Sequence, residues 1–362
     1  MPESKFLIRN KGKTMIKHPN FKLEANGKDV TEIIRANLID LSFDDKEGSK
    51  SDEISFSVSG IYAKPVFGDN LKLWLGYADT ASEQSPLSGG FTQADGATTR
   101  ASSNNLYLCG SFSVQTTSRD YKNQTTEVRA TAVNFASPQK IKKRRSWENT
   151  TVFEIARKIA GENKLSVKTS GQDQNIASVL QNDAGDLDFL YGLCFDYGFI
   201  MAVKNNTIVI AAKDAKGDET QTSNTPKNES LPAFTLNLAE LYSLEITEAN
   251  RNSYGAVIVE WQDIEAGKTK SIKVGSGEQA YKMQIAQPKS DNEAFKMGEA
   301  KLNELQRGGI NGRCSLPGAN IVAGGKLKFS GIAGLEANEF SIKSVSHRLS
   351  TSNYEIEIEF EG

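Results

Sequence analysis

Residues 68–76, GDNLKLWLG, and residues 324–331, GGKLKFSG, place apolar side chains on the same beat, Leu71 with Leu327 and Leu73 with Phe329. A second match follows each: SFSV (111–114) and EFSI (339–342) align Phe112 with Phe340 and Val114 with Ile342. Phe112 to Val128 is 16 residues, as is Phe340 to Ile356. Leu71 to Phe112 is 41 and Leu327 to Phe340 is 13, a difference of 28 that equals the length of segment 78–105. A chain so patterned folds as one β-unit used twice, with a loop inserted in the first copy. Chance agreement between short, gapped β-patterns is the competing explanation.

Periodicity supplies the rest of the plan. LIDLSF (38–43) and the alternation of Ile54, Phe56 and Val58 with serines read as half-buried strands. LKLWLGY (71–77), LYLCGSFSV (106–114) and TEVRATAV (126–133) continue them, and 78–105 is nearly free of large apolar residues and reads as a long polar loop. Asp44–Asp45 reads as part of a turn. From 146 the period changes. Val152, Ile155, Ala156 and Ile159 share a helical face behind a Thr151/Glu154 capping box. Leu187, Leu190, Leu193 and Cys194 mark a second helix closed by Gly198, and FIMAV with TIVIAA forms a hairpin over Asn205-Asn206.

Strands return after the polar stretch 213–232. YGAVIVEW and KTKSIKV make a hairpin around Gly267, and Ser290 with Glu293 caps a helix carrying Phe295, Leu302 and Leu305. In the last run Tyr354, Ile356, Ile358 and Phe360 alternate with Glu355, Glu357, Glu359 and Glu361, the pattern of a two-faced strand. The fold expected is mainly β with an α+β insert. Its boundaries are an N-terminal extension 1–19, a first β-domain 20–142, a small helix-strand domain 143–212, a linker 213–233 and a second β-domain 234–362 with one helix.

Composition narrows the function. Over 362 residues 43 basic side chains face 45 acidic ones, so no net field draws the chain to nucleic acid or anionic lipid. No run approaches the roughly 18 apolar residues that span a bilayer. Three scattered cysteines, Cys109, Cys194 and Cys314, make a poor disulfide framework, and the N-terminus lacks the apolar core of an export signal. The two histidines, His18 and His347, are at opposite ends of the sequence, so no metal site is expected, and no phosphate-cradling or nucleophile-elbow motif is present. Gly89–Gly90, Gly308–Gly309 and Gly324–Gly325 read as turns.

Asp183, Asp186 and Asp188 precede an apolar helix and fit N-capping and dipole complementarity better than paired-carboxylate catalysis. No catalytic residue and no cofactor is expected. The run Lys140, Lys142, Lys143, Arg144, Arg145 is the strongest local charge feature. With only Trp147 nearby it lacks the aromatic interleaving of a nucleic-acid platform. It reads as a domain-boundary linker whose charges pair with a neighbouring subunit, and Trp147 as a core anchor.

Three longer stretches carry a family resemblance. KLEANGKDVTEIIRANLIDLSFDDKEGSKSDEISFSV (22–58) gives strand, turn and strand. KKRRSWENTTVFEIARKIAGENKL (142–165) with VLQNDAGDLDFLYGLCFDYGFIMAV (179–203) is the most specific, and PGANIVAGGKLKFSGI (317–332) precedes the closing alternating strand. In this order the chain resembles the phage late control gene D protein family, the baseplate hub of contractile tails. It is similar in plan to the N-terminal hub of the VgrG spike proteins of type VI secretion. The first 17 residues and segment 78–105 depart from the family pattern.

The resemblance implies two tube-protein-like β-barrel domains per chain and a homotrimer whose six domains dock on a hexameric tail tube. The other face then carries a trimeric central spike. It implies assembly in the bacterial host cytoplasm and residence in the baseplate of a virion or tail-like particle. Baseplate wedge and tape-measure proteins are further candidate partners, and DNA or cargo passes through the lumen without specific binding. Under this reading Leu71, Leu73, Val128, Leu327, Phe329, Ile356 and Ile358 are the candidate subunit-interface positions. Glu355, Glu357 and Glu359 either line the lumen or form an ordinary solvated face, and Lys142, Lys143, Arg144 and Arg145 form the basic linker. The alternatives are a peptidoglycan-degrading tail hydrolase and the VgrG-like hub of a type VI secretion-type device.

Overall fold

The alternating runs become strands whose apolar sides share one core. The computed structural model describes residues 7–10, 13–48, 51–62, 68–80, 104–132, 141–204, 207–212, 217–218, 231–248, 254–264, 266–306 and 310–362. The first part holds β1 (Leu7–Asn10), β2 (Lys13–Ala25), β3 (Lys28–Asp29), the short helix α1 (Thr31–Arg35), β4 (Leu38–Lys46), β5 (Glu53–Ser59), β6 (Asn70–Thr80), β7 (Asn104–Asp120) and β8 (Thr125–Thr131). Their order in the sheet is β2-β6-β7-β8-β5-β4, antiparallel throughout. Three expectations change here. Asp44 and Asp45 belong to β4 and not to a turn. Residues 13–19 belong to β2, pairing with β1 over 13–16 and with β6 from 16 onward, so the expected N-terminal extension is partly sheet. The expected loop is shortened by strand at both ends, 78–80 and 104–105, and 81–103 lies outside the described residues.

A helix-strand unit follows: β9 (Lys143–Thr151), α2 (Val152–Glu162), β10 (Ser166–Thr169), β11 (Asn175–Ala184), α3 (Asp186–Asp196), β12 (Phe199–Lys204) and β13 (Thr207–Ala212). Thr151 and Glu154 form the reciprocal capping box, and Val152, Ile155, Ala156 and Ile159 are buried in the unit's own apolar cluster with Trp147. Gly198, at φ +76, follows the end of α3 in the left-handed region that ends helices cheaply. The expected hairpin of β12 with β13 is present, its turn 205–206 lying outside the described residues. The basic run enters β9 at Lys143 and is strand there, not linker. In the expected linker 213–233, β14 (Gly217–Asp218) pairs with Leu231–Pro232, and the remaining residues up to 230 lie outside the described set.

The last part contains β15 (Leu231–Asn237), a 3-10 turn (Leu238–Glu240), β16 (Ser243–Glu248), β17 (Ala256–Asp263), β18 (Lys268–Gly275), β19 (Ala280–Gln284), α4 (Asp291–Gln306), β20 (Ile310–Pro317), β21 (Lys326–Ser330), β22 (Phe340–Leu349) and β23 (Tyr354–Glu361). Strands β17, β18 and β19 form a separate sheet that packs with α4 over Val257, Val259, Trp261 and Ala294. This second small unit, inserted between β16 and β20, was expected only as a hairpin and a helix. The Ser290/Glu293 cap is present, with Ser290 Oγ accepting the Glu293 N–H at 3.3 Å.

The remaining strands run β15-β21-β22-β23-β20-β16. Strand for strand, in chain order and in sheet order, this repeats the first set. β2 corresponds to β15, β4 to β16, β5 to β20, β6 to β21, β7 to β22 and β8 to β23. Leu71 stands opposite Phe112 as Leu327 stands opposite Phe340. Each hairpin bulges at the matching place, after Val114 and after Ile342. Counted from that bulge, Val128 corresponds to Ile358 and not Ile356, because the second hairpin is two residues longer. One relation differs: β2 is antiparallel to β6, whereas β15 is parallel to β21. The two sets are one continuous sheet, because β4 pairs antiparallel with β22 from Leu41 with Leu349 to Lys46 with Ser344. One apolar core, from Phe21 to Phe360, runs beneath both.

Candidate functional site

At the joint of β4 with β22 the buried polar residues His347, Asp45, Asp52 and Lys204 come together. On its core side Phe43 lies opposite His347 with rings stacked at 5.1 Å, and Phe43 meets Phe112 edge-on at 5.7 Å. His347 Nδ1 lies 2.9 Å from the Tyr354 hydroxyl and 3.3 Å from that of Tyr107. Tyr107 also contacts the Tyr354 hydroxyl and donates to the Ala319 carbonyl at 3.2 Å. Tyr107 in β7 thus ties the first strand set to the second. Burial pushes the His347 imidazole down to about 4, with Asp45 and Asp44 opposing, so the ring is neutral.

At the end of the same joint Lys204, from β12, reaches into the sheet. Its ammonium donates to Asp45 and, at 2.6 Å, to both oxygens of Asp52. Asp45 also accepts the Ala323 N–H at 3.0 Å, and Asp52 the Lys46 N–H at 3.1 Å. Burial alone would lower Lys204, but the two carboxylates more than offset it and it is raised. Burial raises Asp52 to about 7, with Asp45 adding and Lys204 opposing. Gly48 N–H donates to Met201 O at 3.1 Å beside this cluster, and a Cβ on Gly48 would come within 2.9 Å of the Tyr191 ring. Lys204 thus ties the helix-strand unit to the first strand set, and Asp45 carries the link on to the second through Ala323.

Lys143, Arg144 and Arg145 of the basic run make ion pairs within the chain. Lys143 bonds Asp186 at 2.7 Å and Glu162 at 3.0 Å. Arg144 bonds Asp183 at 2.9 Å, and Arg145 bonds Glu162 at 2.8 Å and Asp186 at 3.0 Å while covering the Trp147 ring at 4.3 Å. Lys142 is exposed and Lys140 lies outside the described residues. Asp186 is fully buried, yet its carboxyl is lowered, because hydrogen bonds from Gln181, Lys143 and Asn163 outweigh burial. It is a structural acceptor. The N-cap of α3 is Gly185 and makes no side-chain cap, so the expected capping role reduces to acids in the first turn. Among the described residues no cluster of three or more His, Cys, Asp or Glu could hold a metal, and no helix is long and apolar enough to cross a membrane.

The seven interface candidates lie together in the shared core. Leu71, Leu73, Val128, Leu327, Phe329, Ile356 and Ile358 are all buried, and β6, β8, β21 and β23 are each paired on both edges. Alternation located these side chains on the inner face but is silent about which edges are open. Glu355, Glu357 and Glu359 lie on the opposite, wet face. Glu359 accepts from Ser344 Oγ at 2.8 Å. From Glu357 a transverse row runs through Ser346, Asp44 and Glu53 to Thr131, crossing from one strand set into the other, and Ser346 donates to Asp44 at 2.7 Å. That row holds hydroxyls and carboxylates and no apolar side chain.

Comparison with known proteins agrees with this architecture. A probable baseplate hub protein of Escherichia phage 186 is 23% identical over 261 residues, covering 71% of this chain and 59% of that protein's length. The probable baseplate hub protein of Escherichia phage P2 is 21% identical over 390 aligned positions, covering 95% of this chain and 93% of its own. Among solved structures, a tail protein from Neisseria meningitidis MC58 superposes with a TM-score of 0.65 at 10% identity, over 95% of this chain and 97% of that one. An E. coli component of the type VI secretion system, described as similar to the T4 tail proteins gp27 and gp5, superposes at 0.51 with 12% identity over 90% and 73%. These likenesses show the fold. The sequence profile of the phage tail baseplate hub (GPD) matches residues 58–353, the greater part of the chain, which therefore belongs to that family.

Proposed function

We propose that this hub is a trimeric symmetry adaptor between a hexameric tail tube and a trimeric central spike. The observation that carries the reading is the strand order occurring twice in one sheet. Three chains present six similar strand sets to a sixfold partner, while the helix-strand units, one of each kind per chain, leave threefold symmetry elsewhere. Baseplate wedge and tape-measure proteins are further candidate partners, and assembly takes place in the host cytoplasm before the hub enters the baseplate. The wet face carrying Glu355, Glu357 and Glu359 lines the channel. A polar, acid-bearing surface suits DNA or protein cargo that must slide without adhering. The hub acts without catalysis: the acidic cluster at Asp186 is consumed by salt bridges, which supports a scaffold over a peptidoglycan hydrolase.

Light scattering of the purified hub, alone and with its spike, tests the reading. A mass of three copies is expected. A monomer at every concentration, with and without spike, overturns it. Peptidoglycan release by the purified chain would overturn the scaffold assignment.

A further inference from the structure

The β4–β22 joint is made once per chain, and both of its counterparts are left open. On one edge β22 pairs first with β21, at Phe340 and Ser341, and then with β4 from Ser344 onward. The corresponding strand β7 pairs on that edge with β6 as far as Ser113. Among the described residues no strand continues along Thr116–Asp120. The counterpart of β4 is β16, which among the described residues is paired only with β20. An unpaired β-edge is a template for another strand, and here the chain already contains the strand that fits it.

A second observation lies at the same edge. Thr117 Oγ1 and Arg119 Nε are buried and have no hydrogen-bond partner in the described chain. Buried polar groups are ordinarily paired, and an orphan costs about 1–3 kcal/mol. Transferring the β4–β22 register to the open edges sets Thr117 opposite Glu248, Ser118 opposite Thr247, Arg119 opposite Ile246 and Asp120 opposite Glu245. Glu248 is exposed at the end of β16. It occupies the place that Asp45 has in β4, and Arg119 the place that His347 has in β22. The acid pair Asp120–Glu245 falls on the wet face. There Asp120 already accepts from Lys122 and Asn123, and Glu245 lies 3.7 Å from Arg313.

We propose that β16 of one chain pairs antiparallel with Thr116–Asp120 in β7 of a second copy, in the register of β4 with β22, bringing Glu248 to the orphaned polar atoms of Thr117 and Arg119. The contact is head-to-tail, so identical joints within and between chains close a ring if each turns the sheet by the same angle. The inference rests on the trimeric reading above and names its seam.

Two cysteines test the register in the full-length hub. Ser118→Cys with Thr247→Cys, in a Cys109→Ser background, is expected to give covalent dimers and trimers on oxidation, and nothing larger. The corresponding pair Asp44→Cys with Ser346→Cys is the control and closes within one chain. A trimer by light scattering whose Ser118/Thr247 pair stays unlinked while the control closes overturns this seam and leaves the trimeric reading standing. A hub that never associates overturns both. Independently, Arg119→Glu or Glu248→Arg is expected to weaken self-association by at least about tenfold, and the double reversal to restore it. Single variants that associate like the parent, or a double variant no better than the singles, overturn the ion pair.

Discussion

The Phe360 ring fills the space above Gly312, where a Cβ would lie 2.3 Å from its Cζ atom. In the first strand set the corresponding opposed residues are Ile54 and Ala130. Large and small have changed places between the copies: Ile54 with Ala130 in one, Gly312 with Phe360 in the other. At this place the two copies agree in filled volume and not in residue identity. Gly312→Ala is expected to overpack the site and cost about 1–3 kcal/mol. Combining Gly312→Ile with Phe360→Ala, which copies the first set, is expected to recover much of that loss. Urea unfolding of the two variants checks it, and a neutral Gly312→Ala would count against tight packing there.

Lys204 balances two buried carboxylates. Lys204→Met leaves both without their cation and is expected to cost about 3–5 kcal/mol. Asp52→Asn leaves the matched pair of Lys204 with Asp45 and is expected to cost clearly less. Equal losses in denaturant titrations would refute this ordering.

The pH profile separates two buried groups. Asp52 is raised to about 7 from 3.8, so its protonation adds stability that is full below 3.8 and is lost as pH rises through 7. His347 is lowered to about 4 from 6.5, so its contribution is full above 6.5 and is lost as pH falls through 4. The His347 part amounts to roughly 3 kcal/mol at about 1.4 kcal/mol per unit. Between pH 4 and 6.5 the two slopes oppose each other. Asp52→Asn is expected to unmask the histidine and steepen acid destabilisation, and His347→Gln to flatten it. Melting temperatures across that window decide; unchanged slopes in both variants would refute the assignment.

The proposed channel-lining role of the wet face is testable through its charge. Replacing Glu355, Glu357 and Glu359 together by Lys is expected to leave folding intact, since none of the three is in the core, and to slow DNA ejection at low salt. Ejection at the parental rate would sink the channel-lining role.

Much of this was legible in the chain and some was not, for definite reasons. Period-2 alternation located β5 and β23, the Thr151/Glu154 box located α2, and the match of Leu71 and Phe112 with Leu327 and Phe340 foretold an equivalence that the register reproduces. Alternation fixes which face a residue takes but carries no information about edges. The pairing of β4 with β22 is therefore invisible in the sequence, which does not separate inner-face positions such as Leu71 from edge positions. The basic run read as a linker because its acceptors, Glu162, Asp183 and Asp186, come together only through folding. Lys204 gave no signal, since a lysine closing a hairpin strand is ordinarily wet. Tyr107, Thr117 and Arg119 carry no signal in the sequence, because their polar atoms matter only once burial is known.

The two ends of the sheet are not alike. Beyond β7–β8 and β22–β23 both copies finish in short turns, 121–124 and 350–353. At the other end β4 and β5 are linked by a short connection against which the unit of Lys204 docks, whereas β16 and β20 are separated by the whole β17–α4 unit. Those two appendages touch, Tyr197 donating to Glu293 at 3.0 Å. In the proposed ring of three chains, one rim has six similar teeth and the other three broad lobes. The molecule carries its own axial polarity, and a partner that counts to six or to three can tell which way up it stands.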